Sequence, residues 1–371
     1  MLKATTVALC LALLVACSSL SPLPGSSQSC EAHGSLASLW RCIGSPDPTP
    51  RESGLASTLR MANGDLTRRV ILNQTPSLAC NRAPWPGFAH KSLAGTPPLE
   101  AFVHEGDATL PVILVIHGLY DSNSNRYVRY TASALADRGF GVVVPDMRWH
   151  GCLMSYPSTI GIGESADLLA WAAAIHDGTL ASSLGGRPIG MIGFSLGALD
   201  VIDTISRAEA AKLFDAGAMA VSPPADVAKV LERLDRMRTP IGYYFRMTLR
   251  FRNQRLGIPF WTRQPFLAYV NRLIEEHLTP FHSTAELIAA AEPSTRFAAV
   301  RRPLLIIASR NDPVLGRVAS DALVKPPPMP YVHVIATDEG GHIGIIGRDP
   351  QWFVNAKNAF FGNAPHIPVR P

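Results

Sequence analysis

The chain has 371 residues, of which 47% are apolar and 17% are charged. This composition excludes a largely disordered protein, and the length allows one α/β domain that carries insertions. The formal net charge of +5 is modest, so the distribution of charge along the chain carries more information than its sum.

The first 16 residues resemble an export signal. Lys3 supplies a positive charge, and residues 4–16 are mostly apolar but too few to span a bilayer as a stable helix. The segment ends in Leu-Val-Ala-Cys, which resembles a bacterial lipobox with Cys17 as the lipidated first residue of the mature chain. An ordinary secretory signal, with Cys17 incidental, is the alternative. Ser18 and Ser19 follow, and no Asp stands at the second mature position. The resemblance to bacterial lipoproteins then implies an anchor at the outer membrane, facing the periplasm of a bacterial cell envelope.

The remaining cysteines suit an exported protein, because export delivers the chain to an oxidising compartment. Cys10 would leave with the signal and Cys17 would carry lipid, so four cysteines remain and allow three pairings. We favour Cys30–Cys42, which is local, together with Cys80–Cys152. The cysteine and histidine spacings do not indicate a metal site.

The predicted elements begin with a short helix near residues 35–41 and strands at 69–73 and 99–103. From residue 111 onwards, strands and helices alternate. Strands are predicted at 111–116, 141–145, 188–193, 216–221, 303–308 and 331–335 because these are short apolar runs, typical of strands buried on both faces. Helices are predicted at 127–138, 163–177, 196–205 and 350–360. This alternation predicts an α/β fold with a mostly parallel sheet between two layers of helices.

The domain organisation follows from these elements. Residues 1–16 are the predicted signal peptide, and 17–64 form a tether and N-terminal extension rich in Ser, Pro and Gly. Residues 65–224 and 301–365 form the predicted core. The insert between them, 225–300, reads as a helical cap.

A Gly-Phe-Ser-Leu-Gly motif places Ser195 between a predicted strand and a predicted helix. A sharp turn at that junction would expose the Ser195 hydroxyl above the strand ends, at a helix N-terminus where negative charge is favoured. The motif alone is weak evidence, and a glycine-rich connector without chemistry is the alternative. The strand, turn and helix in that order favour a catalytic nucleophile.

A serine nucleophile needs a histidine base and an acid that orients it. Asp312 follows the predicted strand at 303–308, and His342 follows the strand at 331–335, so all three side chains fall at the carboxyl edge of the sheet. Asp338 and Glu339 are alternative acids, although they are so close to His342 in the sequence that their carboxylates could reach its Nδ1 atom only with difficulty. His333 is an alternative base, but it lies within a predicted strand.

Acyl transfer also requires donors to the oxyanion. The backbone N–H of Leu196, directly after the nucleophile, is one predicted donor. The N–H of Leu119 is the other, because Gly118 lets the loop after residues 111–116 bend towards the site. His117 is expected to support this loop, and its use as the catalytic base is the alternative.

These motifs together resemble the α/β-hydrolase superfamily over residues 65–362. They are His117-Gly118, the segment DMRWHG at 146–151, GFSLG, SRNDPV and GGH, in that order. The segment VSPP at 221–224 is similar to the YheT-like predicted esterases. The resemblance implies a cofactor-free enzyme with a covalent acyl-enzyme intermediate, and the serine argues against the Asp-dependent dehalogenases and epoxide hydrolases. Trp149 departs from the more usual Arg-Gly-His-Gly and is expected to alter that loop or the site entrance.

The cap carries the positive charge of the chain. Residues 229–272 contain one Lys and nine Arg against Glu232 and Asp235, a net charge of +8, which leaves −3 for the rest. Aromatic residues are interleaved with these arginines. One interpretation is a cap that faces an anionic membrane surface or substrate. The other is a solvated arginine face with aromatic side chains in the core of the cap. An envelope protein without a recognisable motif is not expected to bind nucleic acid.

The sequence therefore predicts a serine hydrolase acting on a small-molecule or lipid ester. Ester rather than amide is the default, because alcohols leave more easily than amines. Thioesterase, acyltransferase and peptidase activities remain open, and so does a non-catalytic envelope binding protein on the same fold.

Overall fold

A computed structural model describes residues 35–44, 46, 80, 82–83, 85–95 and 97–367. Its centre is an eight-stranded sheet with the strand order β1-β2-β4-β3-β5-β6-β7-β8. Strands β1 and β2 pair antiparallel, as do β2 and β4, whereas β3 to β8 are mutually parallel. Helices flank the sheet, so the predicted α/β-hydrolase fold with a mostly parallel sheet is confirmed.

The strand bounds are close to those predicted from the apolar runs. The strands are β1 Ala89–Leu93, β2 Leu99–His104, β3 Val112–Ile116, β4 Gly141–Pro145, β5 Ile189–Phe194, β6 Ala218–Val221, β7 Leu304–Ser309 and β8 Val332–Thr337. Strand β1 was not among the predicted strands, because Ala-His-Lys-Ser-Leu is a half-exposed edge strand without an apolar run. It forms because its backbone pairs with that of β2. The strand expected at 69–73 lies outside the described residues.

The helices up to β6 pack on the two faces of the sheet. They are α1 Leu36–Ile43, α2 Arg126–Ala136, α3 Ser165–His176, α4 Leu196–Ile205 and α5 Ala210–Leu213. Between β6 and β7 the chain forms the cap helices α6 Val227–Arg236, α7 Pro240–Asn253, α8 Pro265–Glu275 and α9 Thr284–Ala291. After β7 come α10 Arg317–Val324, α11 Ile345–Arg348 and α12 Pro350–Asn363.

Alternate residues of the buried strands divide the core between the two faces of the sheet. Leu114 and Ile116 of β3 face a cluster shared with α3 and α4. Ile113 and Val115 face the opposite cluster, shared with α1, α2 and α12. This period of two is the reason why an unbroken apolar run forms a strand here: both faces are covered, so both sets of side chains are buried.

The cap packs on the loops at the carboxyl edge of the sheet through a third apolar cluster. Val230 and Leu234 of α6 and Val270 and Leu273 of α8 are buried in it with residues of those loops, among them Tyr120, Trp149, Val314 and Leu315. The cap therefore covers the edge where Ser195, Asp312 and His342 are expected.

The structure contains the predicted disulfide Cys80–Cys152. It joins the segment before β1 to the short 3₁₀ turn Gly151–Leu153 that follows β4. The pairing Cys30–Cys42, the signal peptide and Cys17 depend on residues outside the described ones. Among the described helices, none has the length and hydropathy needed to cross a bilayer.

Helix α12 carries a fully buried lysine. Lys357 is 0% exposed, and its Nζ atom has no hydrogen-bond partner among the described residues. Burial lowers the pKa of Lys357 from 10.5 to about 7, and the nearby charge of Arg138 acts in the same direction. The folded protein therefore releases a proton at a pH where the unfolded chain still holds it.

We expect the replacement Lys357→Met to stabilise the protein by on the order of 4 kcal/mol at pH 7. Between pH 7 and about 10 the unfolded chain binds more protons than the folded protein, so the free energy of unfolding of the wild type rises with pH. It should gain about 3 kcal/mol between pH 7 and 9.5, whereas the variant lacks this gain. Urea unfolding at both pH values measures the difference.

The exposed Lys325→Met serves as the control for this experiment. Its unfolding free energy should follow that of the wild type at both pH values, because the side chain of Lys325 stays in water when the chain folds. Parallel pH dependences for wild type and Lys357→Met would show that Lys357 is not the source of the effect.

Candidate active site

Ser195 stands in the sharp turn between β5 and α4. Its backbone has φ 53° and ψ −115°, a conformation that non-glycine residues rarely adopt and that costs on the order of 1–3 kcal/mol. The Ser195 N–H donates to the carbonyl of Val221 at 2.9 Å, which ties the turn to the end of β6. The strained turn lifts the serine hydroxyl out of the strand end, in front of the N-terminus of α4.

The two glycines of the motif allow the strand and the helix to approach each other. A Cβ atom on Gly193 would collide with the backbone carbonyl of Gly197, and one on Gly197 would collide with the carbonyl of His117. Larger residues at either position would push α4 away from β5. The Gly-x-Ser-x-Gly spacing is therefore a packing requirement of this turn.

His342 is held in the loop after β8 by contacts with two neighbouring strand ends. The N–H of Ile343 donates to the Ser222 hydroxyl at 3.2 Å, and the N–H of Gly341 donates to Asn311 Oδ1 at 2.9 Å. Gly340 has φ 141°, and a Cβ atom there would collide with the Ser309 hydroxyl. These contacts fix the imidazole at the carboxyl edge of β6 and β7.

Asp312 is fixed by its own turn. One carboxylate oxygen, Oδ1, accepts the N–H groups of Val314 at 2.7 Å and Leu315 at 2.9 Å. The other oxygen, Oδ2, accepts the Nδ1–H of His342 at 2.8 Å. The turn-forming role and the role as partner of the histidine are thus compatible, because each uses a different oxygen.

The structure brings Ser195, His342 and Asp312 into one hydrogen-bonded chain. The Ser195 hydroxyl lies 3.0 Å from His342 Nε2, on the side of the ring opposite Asp312. The side chains of His342 and Asp312 are only 8% and 4% exposed. In this arrangement Asp312 selects the tautomer with the proton on Nδ1, which leaves Nε2 free to accept the proton of the serine.

The alternative acids and base occupy other positions. Asp338 is 88% exposed at its side chain and forms an ion pair with Arg310 at 2.8 Å. The carbonyl of Glu339 accepts the hydroxyl of Thr337. His333 stacks on Trp40 at 4.8 Å between ring centroids, and burial lowers its pKa. The carboxylate that contacts His342 Nδ1 is therefore that of Asp312.

One predicted oxyanion donor, Leu196, adjoins the serine, and Gly118, the residue before the other, packs against it. Leu196 is the first residue of α4, and the first N–H groups of a helix have no partner within it. Gly118 approaches Ser195 closely: a Cβ atom added to it would lie 3.2 Å from that of Ser195. Among the described residues, no hydrogen bond is formed by the N–H groups of Leu119 or Leu196.

The loop that carries Leu119 is braced by two buried imidazoles. His117 Nε2 accepts the N–H of Met147 at 3.1 Å, and His150 Nε2 accepts the N–H of Tyr120 at 2.8 Å. Each Nδ1 faces a carbonyl oxygen, at 2.8 Å for His117 and 2.7 Å for His150. An Nε2 that accepts a hydrogen bond carries no proton, so both rings are neutral. His117 supports the loop, as expected, because both of its ring nitrogens contact backbone groups.

A family model described as "Alpha/beta hydrolase family" matches residues 112–356 of the chain. The match covers the strands β3 to β8, the serine turn, the cap and both loops that bear Asp312 and His342. The chain belongs to the α/β-hydrolase family.

Several solved structures are similar to this α/β hydrolase. The esterase Pf2001 of Pyrococcus furiosus has a TM-score of 0.54 and 20% identity, over 76% of this chain and 95% of that one. A 2,6-dihydroxy-pseudo-oxynicotine hydrolase has a TM-score of 0.51 and 15% identity, over 85% and 77%. The acylaminoacyl peptidase of Pyrococcus horikoshii has a TM-score of 0.52 and 15% identity, over 82% and 44%. At these identities the similarity shows the fold alone. No curated protein sequence matches the chain significantly.

Trp149, which departs from the family motif, joins the core of this α/β hydrolase to its cap. Its ring stacks on Tyr269 of α8 at 4.2 Å between centroids. The guanidinium of the buried Arg252 lies 5.3 Å from the Trp149 ring and 4.6 Å from the Tyr120 ring, and its Nη1 donates to the Trp149 carbonyl at 2.8 Å. Trp149 therefore alters this loop, as expected, by fixing it against α7 and α8 of the cap.

Sequence analysis did not assign roles to Ser222, Asn311 and Arg252. Ser222 directly follows β6, and Asn311 lies two residues after β7, so the rule that locates functional residues after parallel strands could have found them. Arg252 does not follow a strand, and its contacts depend on how the cap packs, so its role could not be predicted from the sequence.

Proposed function

We propose that this α/β hydrolase is a serine ester hydrolase. The observation that supports it best is the chain of hydrogen bonds from Ser195 through His342 to Asp312, at 3.0 Å and 2.8 Å. A serine hydroxyl reacts at neutral pH only when a base is positioned to take its proton. The buried, doubly anchored carboxylate of Asp312 stabilises the imidazolium that this transfer creates.

The proposed reaction has two halves. Ser195 Oγ attacks the ester carbonyl while His342 Nε2 takes its proton, and the N–H groups of Leu119 and Leu196 stabilise the oxyanion. The imidazolium then gives its proton to the leaving alcohol, and an acyl-serine remains. Water attacks this ester with His342 again as the base, and the acid and the free serine are released.

An ester is the substrate class we favour, because its alkoxide leaves more easily than an amine. Thioester hydrolysis and acyl transfer to another acceptor use the same intermediate. Peptidase activity and a non-catalytic binding role are further alternatives. The narrower resemblance to YheT-like esterases stays a prediction.

We propose further that the enzyme acts at the bacterial cell envelope, anchored by lipid on Cys17. The Leu-Val-Ala-Cys sequence supports this location, and so does the Cys80–Cys152 disulfide, which suits an oxidising compartment. Membrane fractionation of cells that produce the wild type or Cys17→Ala tests the anchor. The variant should be lost from the membrane fraction if Cys17 carries lipid.

The activity is tested with p-nitrophenyl esters from acetate to palmitate, together with a fluorophosphonate probe. We expect turnover, and a label that peptide mapping locates on Ser195. The acyl length that gives the highest kcat/KM would define the acyl pocket. Parallel assays with thioesters and aminoacyl amides separate the neighbouring activities. A folded protein that neither hydrolyses these substrates nor reacts with the probe would favour the binding role.

A further inference from the structure

The outer side of the cap exposes aromatic side chains to solvent. Tyr243 and Phe251 of α7 are 61% and 60% exposed, and Trp261 in the following loop is 81% exposed. Exposed arginines precede α7, follow it and follow Trp261: they are Arg238, Arg255 and Arg263. We call these six residues the cap surface.

Phe251 and Trp261, two aromatic members of the cap surface, are linked through Phe260. Phe251 contacts Phe260 at 5.1 Å between ring centroids, and Trp261 directly follows Phe260. Tyr243 and Phe251 are eight residues apart on α7, so the helical repeat places them about 80° apart, on the same side of the helix. Large aromatic side chains are normally buried, and a group of them at 60% exposure or more indicates a contact surface.

The arginines of the cap surface have no acidic partners. Arg238, Arg255 and Arg263 form no hydrogen bond or ion pair with any described residue. The two acids of residues 229–272 are engaged elsewhere. Glu232 pairs with Arg236 at 2.6 Å, and the buried Asp235 accepts backbone N–H groups at the start of α8. The cap surface therefore presents uncompensated positive charge beside its aromatic rings.

We infer that the cap surface binds an anionic phospholipid bilayer. Aromatic rings are favoured at the boundary between headgroups and acyl chains, and arginines nearby are attracted to anionic headgroups. A second copy of this chain fits poorly, because two surfaces of the same charge would repel each other. Binding does not involve Ser195, so it is independent of the proposed catalytic activity.

Vesicle binding tests this inference, with Trp261 as the reporter. It is the one exposed tryptophan of the six in the chain, all of which are described. The protein is the chain from residue 17 with Cys17→Ser, so that no acyl chain can anchor it. With phosphatidylcholine/phosphatidylglycerol vesicles in low salt we expect a shift of emission to shorter wavelength. Affinity should be at least tenfold higher than for phosphatidylcholine alone, and 0.5 M KCl should remove this difference.

Two double variants identify the surface. Because Trp261→Ala removes the fluorescent reporter, the affinities of these variants are measured by co-sedimentation with vesicles. Trp261→Ala with Arg263→Ala should lower the affinity for anionic vesicles by about tenfold or more. Val324→Ala with Lys325→Ala, which removes one exposed apolar side chain and one exposed cation outside the cap, should leave it unchanged. Ser195→Ala should bind vesicles like the wild type, which separates this result from any failure of the esterase assay.

Three outcomes would overturn the inference. Equal affinity for neutral and anionic vesicles at low salt would remove the role of the arginines. Sedimentation as a dimer, with Trp261 shielded before vesicles are added, would assign the surface to a second copy. Tighter binding of a single-stranded oligonucleotide than of anionic vesicles would assign it to a nucleic acid, which also uses arginine and aromatic side chains.

Discussion

Replacing Ser195 by alanine is expected to lower kcat for the preferred p-nitrophenyl ester by about 10⁶-fold. The variant loses the atom that forms the acyl-enzyme and retains only the oxyanion donors and substrate binding. It should also lose all reaction with the fluorophosphonate probe. KM should change little, because the hydroxyl contributes more to the reaction than to binding of the ester. Steady-state kinetics and probe labelling measure both effects.

The loss of kcat in Ser195→Ala should not add to the loss of kcat in His342→Ala. His342→Ala should have nearly the same effect as Ser195→Ala, and the double variant should be no worse than either, because the two groups act as one unit. Ser133→Ala, at an exposed position on α2, is the matched control and should retain full activity. Residual activity of a few per cent in Ser195→Ala would show that another nucleophile carries the reaction.

Replacing Asp312 by asparagine is expected to lower kcat by about 10³- to 10⁴-fold with the fold intact. The amide oxygen can still accept the N–H groups of Val314 and Leu315, so the turn should persist. The amide nitrogen, however, donates where the carboxylate accepted. His342 would then place its proton on Nε2 and could no longer take the proton of Ser195.

Asp338→Asn is the matched control for this prediction, since Asp338 was the alternative acid. Its carboxylate is exposed and paired with Arg310, so kcat should remain within about twofold of the wild type. Full activity in Asp312→Asn, or a large loss in Asp338→Asn, would reverse the assignment of the acid. Urea unfolding of each variant shows that a loss of kcat does not reflect a loss of fold.

The buried strands and the positions of Ser195, Asp312 and His342 could be predicted from the sequence because they follow a local rule. Each strand from β3 to β7 is an apolar run buried on both faces, and Ser195, Asp312 and His342 lie in the segments that follow β5, β7 and β8. Strand β1 does not follow this rule: it is polar, lies at the edge and owes its conformation to β2.

The packing of the cap could not be predicted, because its contacts join residues far apart in the chain. The count of charges identified the basic insert, but it could not show which of its arginines are buried and which are exposed. Arg252 is buried against Trp149 and Tyr120, and Arg246 bonds carbonyl groups at the end of α6. Arg255 and Arg263 are exposed. Helical periodicity does not reveal this division, since the loops of the core decide which side of α7 is covered.

The contact between Arg252 and Trp149 links the cap mechanically to the loop that carries Leu119, the predicted oxyanion donor. Arg252 holds the Trp149 carbonyl, the next residue His150 accepts the Tyr120 N–H, and Tyr120 follows the predicted donor Leu119. A cap that swung away on α7 would pull on this series and displace the donor from the serine. The cap and the loop that carries Leu119 are therefore expected to move together rather than independently.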